Sequence, residues 1–265
     1  MFEYYYSGSS STPHDYHYHD FFEMFILLSG DNKSFFIEDK TYTVKASDII
    51  FIRHDLLHKS NFVPSEYNRV IIHFSNEHVG NDIIGEIAGL FDGRVYTPPS
   101  PDIVRRKLIS IADEMGKNDP FAKHLVKLHF TDLLAYCVRN KSVYSHETAL
   151  SNPAIERLVR YINSNFHSRL TLKQAAAMLK MSDGHLSRLF AASTGFSFSE
   201  YIAVVRIKNA KQLLKNTKKT IHQIAGECGF NDSNYFSTVF KSAAGLSPLA
   251  YRRNAVDNLP LQYYP

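Results

Sequence analysis

The spacing of hydrophobic positions changes character near residue 98. Before it, apolar residues come in short β-branched and aromatic runs: FEMFILLS from 22, KSFFIED from 33, TYTVK from 41, DIIFIR from 48 and NRVIIHFS from 68. Gly, Asn, Asp and Ser separate the runs, which predicts short strands joined by turns. Several such strands in succession favour a small barrel or sandwich. Residues 81–91 read as a short helix and VYTPPSP, from 95, as a connector. Helical spacing then predicts helices at about 101–117 and 120–140. In the second, Phe121, Leu125, Leu128, Leu133, Leu134 and Tyr136 form an apolar surface too broad for one stripe. Part of it is expected to cover the barrel and part to meet another subunit. SVYSHETALSN, 142–152, has no periodicity and reads as a linker.

The remaining third of the chain says one thing twice. TLKQAAAMLKMSDGHLSRLFAASTGFSFSEY, 171–201, returns as TIHQIAGECGFNDSNYFSTVFKSAAGLSPLAY, 220–251. Gln174, Ala176, Ser187, Phe190, Gly195, Ser197 and Tyr201 recur as Gln223, Ala225, Ser237, Phe240, Gly245, Ser247 and Tyr251. The apolar spacing repeats with the identities, so a duplicated helix–turn–helix is the economical reading. Ser182 and Asp232 are placed to cap the second helix of each unit. Leu186, Leu189 and Phe190 point inward in copy one, and Phe236, Val239 and Phe240 in copy two. Gly195 and Gly245 suit the left-handed position that ends a helix. Between the copies, residues 197–216 read as a helix roughly 25 Å long at ~1.5 Å per residue. That is the scale needed to hold two readers about one DNA turn, ~34 Å, apart.

These two units, the linker RIKNAKQLL and the closing Gly-x-Ser-Pro-x-x-Tyr-Arg-Arg together resemble the DNA-binding domain of AraC-family transcription regulators. The resemblance implies that the exposed positions of both recognition helices touch bases. Here they are Gly184, Ser187 and Arg188 in copy one, and Ser233, Asn234, Ser237 and Thr238 in copy two. Arg pairs bidentately with guanine and Asn with adenine, whereas Gly184 brings no side chain to such a contact. His185 reads as a phosphate contact or as a partly buried helix residue. Arg206 is expected to pack or pair internally, and Cys228 to be core.

Charge divides the chain at the same place. Residues 151–265 hold 15 Lys and Arg against 6 Asp and Glu, a net +9; residues 1–150 hold 15 against 20, a net −5. A basic segment that coincides with the repeat fits a nucleic-acid reader joined to a sensor. With 265 residues, 44% of them hydrophobic, the chain can bury two cores of ordinary size. It has no run of 18 apolar residues, and MFEYYYSGSSS is not a basic-then-apolar signal segment. With only Cys137 and Cys228, in separate helical patterns, no disulfide is expected, and a cytoplasmic location fits.

A second constellation lies among the strands. His17, His19 and Glu23 stand as His-x-His-x3-Glu, Gly30 follows, and His58 closes ASDIIFIRHDLLH. This resembles the two motifs of cupins, in which three His and one Glu hold a divalent metal; Fe, Mn, Ni or Zn would suit such ligands. The second motif departs from the pattern, with Ser47 and Arg53 where Gly and Pro are usual. AraC-family resemblance instead implies a barrel that binds an organic effector without metal, so His17, His19, Glu23 and His58, with Arg53, are read as a polar cluster facing a ligand. A purely structural His cluster is the other reading. Phe25, Phe36 and Phe51 line a pocket or simply fill the core.

The expectation is therefore an α+β multi-domain chain. A cupin-like β-barrel sensor over 1–97 is followed by helices over 98–141 that cover it and offer a dimer surface. After the linker, 142–152, comes an all-α double helix–turn–helix over 153–256. Its expected function is sequence-specific transcription regulation in answer to a small molecule, a sugar among the candidates, with no cofactor and no catalytic nucleophile. Expected partners are double-stranded promoter DNA, the effector, a second copy of the chain and, for an activator, RNA polymerase; no membrane is expected. A metal-dependent cupin enzyme with a DNA-binding tail, or a metal-sensing regulator, would need stoichiometric metal on His17, His19, Glu23 and His58. A structural DNA-binding protein would show little sequence preference, which the differing faces of the two copies argue against.

Overall fold

The computed structural model describes residues 2–7, 21–30, 33–53, 56–61, 67–80, 83–91, 95–140 and 152–257. It divides the chain into two compact units, Met1–Leu150 and Ser151–Pro265. His17, His19 and nearly all of the expected linker lie outside the described residues.

Among its described residues the first unit holds eight strands: β1 (Glu3–Ser7), β2 (Phe22–Ser29), β3 (Lys33–Ile37), β4 (Lys40–Val44), β5 (Ile49–Ile52), β6 (His58–Asn61), β7 (Asn68–Phe74) and β8 (Val95–Tyr96). All five apolar runs are strands. The three additions are polar, tyrosine-rich or two residues long, and each completes a sheet by backbone pairing: β1 on β7, β6 on β3 and β8 on β5. Residues 95–96, expected to be connector, are thus strand. Among the described residues the strands form two antiparallel sheets, ordered β1-β7-β2-β5-β8 and β4-β3-β6.

The centre of the larger sheet, β2, β5 and β7, is buried on both faces. Met24, Ile26, Ile49, Phe51, Val70, Ile72 and Phe74 pack on the helix layer of α2 (Pro101–Met115) and α3 (Ala122–Arg139). The alternate positions Phe25, Leu27, Ile50, Ile52 and Ile71 meet Phe35, Ile37, Tyr42 and Val44 of the smaller sheet. This is why β2 reads as an almost unbroken apolar run, since alternation would appear only if one face met water. Ahead of the helix layer, the short α1 (Ile84–Ile87) leads into a 3-10 turn at Ala88–Leu90, in place of one helix over 81–91. The breadth of α3 is also explained: Phe130, Leu133 and Leu134 are buried under the sheet, while Phe121 is 70% and Leu128 61% exposed. Ser47, where the cupin motif carries Gly, takes φ 78, a left-handed value that favours glycine.

Among its described residues the second unit has only helices as regular elements: α4 (Pro153–Asn165), α5 (Leu172–Met178), α6 (Asp183–Thr194), α7 (Phe198–Asn216), α8 (Ile221–Glu227), α9 (Ser233–Ala244) and α10 (Pro248–Asp257). Local sequence sets the boundaries. Thr171 and Gln174, Ser197 and Glu200, and Thr220 and Gln223 form capping boxes that satisfy otherwise orphan N–H groups. Ser182 accepts from the His185 amide and Asp232 from the Tyr235 amide, as their positions predict. Gly195 (φ 76) and Gly245 (φ 71) end α6 and α9 in the left-handed region. The spacer α7 has 19 residues, about 28 Å at ~1.5 Å each. Its buried side chains, among them Tyr201, Ile202, Val205 and Leu214, form the axis on which both helix–turn–helix units pack.

Among the described residues no helix is long and apolar enough to cross a membrane.

Candidate DNA-reading surface and sensor cluster

Each reader is fixed from below by aromatic packing. Phe190 meets Tyr201 edge-on at 5.5 Å, and Phe240 meets Tyr251 at 5.4 Å, with nearly equal interplanar angles of 75° and 74°. The pairs lock the inner faces of α6 and α9, leaving the opposite faces free. On α6, Gly184, His185 and Arg188 are exposed and Ser187 is half-buried. The Arg188 guanidinium leans back along the helix, with Nη1 3.7 Å from where a β-carbon on Gly184 would stand. Glycine there leaves space beside the Arg. On α9, Asn234 and Thr238 are exposed while Ser233 and Ser237 are half-buried. The Ser237 hydroxyl donates to the Ser233 carbonyl at 2.8 Å and that of Thr238 to the Asn234 carbonyl at 3.1 Å. Both hydroxyls keep acceptor lone pairs, but the Asn234 amide is the group on this face able to donate and accept together.

Arg206 of α7 is structural, as expected. Its Nε donates to the Phe166 carbonyl at 2.8 Å, its Nη2 to the Ser168 carbonyl at 3.0 Å, and its guanidinium lies 5.6 Å from the Phe230 ring centre. Burial pulls its pKa below the usual arginine range. It thereby ties the loop before α5 to the turn of the second reader. Cys228 is buried in that reader and Cys137 in the helix layer; both are free thiols, each pushed up to about 12 by burial.

Between the two sheets of the first unit lies a polar group in an apolar setting. Glu23 and His58 are both buried. Glu23 Oε2 is 3.0 Å from His73 Nε2, and its Oε1 is 3.9 Å from His58 Nε2. His58 Nδ1 lies 2.9 Å from the Leu56 carbonyl, which can only accept, so Nδ1 carries the proton. His73 Nδ1 lies 3.4 Å from Glu3 Oε2. Glu3, His73 and Glu23 are directly paired across β1, β7 and β2, so the row is set by strand register. Hydrogen bonding to Tyr5, ahead of His73, holds the Glu3 carboxyl below its usual range.

Sequence reading found Glu23 and His58 and missed His73. It also missed Arg69, which is 3% exposed and lies 5.6 Å from the Tyr67 ring centre. Burial lowers the pKa of Arg69, and the charges of Tyr67 and Glu23 oppose that shift. Arg53, expected to join the cluster, is exposed just past the end of β5. A signal for both missed residues existed in NRVIIHFS: Arg69, Ile71 and His73 alternate on one face, and Ile71 belongs to the core between the sheets. Among the described residues no three His, Cys, Asp or Glu side chains are arranged to hold a metal ion.

Comparison with known proteins agrees with this division. Residues 1–95 match the family described as an AraC-like ligand binding domain, and residues 175–254 the one described as a helix-turn-helix domain. The chain is 25% identical over 246 residues to the HTH-type transcriptional activator RhaR of Enterobacter sp. (strain 638), covering 90% of this chain and 87% of that protein. With the RhaR of Escherichia coli (strain K12) it shares 27% identity over 246 residues, 89% and 86% of the two chains. Among solved structures, the C-terminal domain of AraT, a response regulator from Geobacillus stearothermophilus, is 36% identical, covers 43% of this chain and 93% of its own, and superposes with a TM-score of 0.39. A ligand-binding domain and a double reader occur in one chain, in that order, with the relatives matched over most of their length. The chain belongs to the AraC family of DNA-binding transcription regulators.

Proposed function

We propose that this regulator works as a cytoplasmic homodimer whose sensor binds a small polyhydroxylated effector, a sugar or sugar derivative, between its two sheets. The observation that carries the reading is the group formed by buried Glu23 and His58 with partly buried His73 inside the ligand-binding domain. A carboxylate flanked by imidazoles presents acceptors and donors at short spacing, the complement of neighbouring hydroxyls. Phe25 and Phe35, 5.1 Å apart, supply an apolar wall of the kind such sites use. In this proposal Glu23 and His58 act with His73, His17 and His19. The buried Arg69 takes the cationic role that sequence alone gave to Arg53.

On the DNA side, Arg188 reads guanine and Asn234 adenine. Ser187, Ser233, Ser237 and Thr238 make secondary base or sugar contacts, Gly184 lets the helix approach closely, and His185 contacts phosphate. Exposed Ile109, Phe121 and Leu128 on the helix layer are the surface we assign to a second copy. The relatives are named activators; an activating role here would add RNA polymerase as a partner. Effector binding shifts the balance between two arrangements of reader and partner, which requires different affinity for each. No catalytic step is invoked.

Thermal shift of the whole chain against a panel of monosaccharides tests the reading, because a ligand of the folded state at 100 times its Kd stabilises by about 2.7 kcal/mol. Glu23→Gln should weaken that ligand by about tenfold or more, the worth of a charged hydrogen bond, while leaving binding to promoter DNA without effector intact. A panel with no stabilising sugar would sink the effector assignment. About one Fe, Mn, Ni or Zn per purified chain, lost in His58→Ala, would put the metal-sensing reading in its place.

A further inference from the structure

A groove of about 610 Å³ opens along α7 between the two readers. One wall is the loop before α5 and the start of that helix, with His167, Arg169 and Thr171. The other is the turn and first residues of the second reader, with Asn231 and Tyr235, and Arg206 stands in the floor. The lining contains three basic side chains and no Asp or Glu. Its rims open beside the reading elements themselves: Thr171 caps α5, Asn231 precedes the cap of α9, and Tyr235 follows Asn234. Arg169 is exposed and makes no hydrogen bond or ion pair among the described residues. Tyr235 is likewise exposed although aromatic.

We propose that this groove seats the sugar–phosphate backbone of the operator between the two major grooves that α6 and α9 enter, with Arg169 as its phosphate anchor. The inference rests on the DNA-reading assignment of α6 and α9. The groove touches both helix–turn–helix motifs, so a backbone held there would fix their register on one duplex rather than add sequence preference. Cationic lining without acidic residues matches a polyanion. Held in place by the Phe166 and Ser168 carbonyls, Arg206 shapes the floor and raises the local potential. Arg169, free of such ties, is the side chain able to close on a phosphate. The Tyr235 hydroxyl is a second donor on the opposite wall.

The test uses the whole chain and a promoter duplex selected by it, titrated by anisotropy at several salt concentrations. Arg169→Ala should weaken binding about three- to tenfold on every sequence alike, and make the slope of log K against log salt shallower by about one. Arg169→Lys should keep the slope. Replacing single phosphates between the two contacted grooves by neutral methylphosphonates should locate one position that weakens the wild type and does nothing further to Arg169→Ala. A chain that binds its duplex and reads bases through Arg188, yet shows the wild-type slope and affinity in Arg169→Ala, would overturn the groove alone. If no duplex is bound at all, the reading of α6 and α9 falls with it.

Discussion

The two helix–turn–helix units are the same scaffold under different constraints. Their caps and aromatic pairs coincide, yet their turns do not. Each turn contains a left-handed residue, Lys180 (φ 55) in the first and Gly229 (φ 82) in the second. The equivalence is backed by hydrogen bonds: Met181 N–H donates to the Ala176 carbonyl, and Phe230 N–H to that of Ala225, both at 2.9 Å. The second turn then holds one more residue before its cap, Asn231, which is why the repeat offset grows from 49 to 50. A β-carbon on Gly229 would lie 2.7 Å from the His167 carbonyl oxygen and 3.0 Å from Arg206 Cζ. Thus the second turn is wedged against the loop before α5 and the spacer helix α7, where only glycine fits, and the first turn keeps a lysine at some cost in strain. Duplication preserved what builds a reader, while the differences collect where a reader meets its neighbour or the DNA.

The comparison can be broken at its strongest point by truncating the inner aromatics. Phe190→Ala and Phe240→Ala should each cost about 3–5 kcal/mol, read by denaturant unfolding. If the scaffolds are equivalent, the two losses should agree within about 1 kcal/mol; a much cheaper Phe240→Ala would mean that the second reader tolerates loose packing. Next in size is the turn. Gly229→Ala should lose about 2 kcal/mol or more from clash and left-handed strain. Lys180→Gly should gain about 0.5 kcal/mol, relief of strain outweighing the extra freedom of an unfolded glycine. Equal effects at the two positions would refute the wedge. The finest contrast is in reading. Arg188→Ala should cost about 1–3 kcal/mol at one base pair of the first half-site, and Asn234→Ala a comparable amount at one base pair of the second. Uniform weakening across all sequences would make either residue a phosphate contact.

How much was legible follows from where information resides. The double reader was almost wholly readable, because caps, terminal glycines and inward aromatics act over three or four residues and all appear in the local text. In the sensor, strands with their own apolar pattern were readable. Those that exist through pairing were not: β6 is HKSN, and β8 is two residues that add to β5. The site was half visible for the same reason. Glu23 and His58 lie in a recognisable spacing, whereas His73 joins them through the register of β7 on β2, a relation between residues fifty apart. Arg53 is near the motif in sequence but exposed, and Arg69, remote from it, is buried. His17 and His19 lie outside the described residues.

The two cysteines have a practical consequence. One sits in each compact unit, both are sealed from solvent, and both are held as unreactive neutral thiols at physiological pH. Neither can be alkylated until its own surroundings open. The chain therefore carries a separate chemical clock in each half: modification of Cys137 times the opening of the sensor's helix layer, and modification of Cys228 that of the second reader. Peptide mapping after a thiol-reagent pulse would tell the two apart without any engineered label. Because effector and DNA bind different halves, the same pair of clocks would reveal whether a ligand on one half slows the opening of the other.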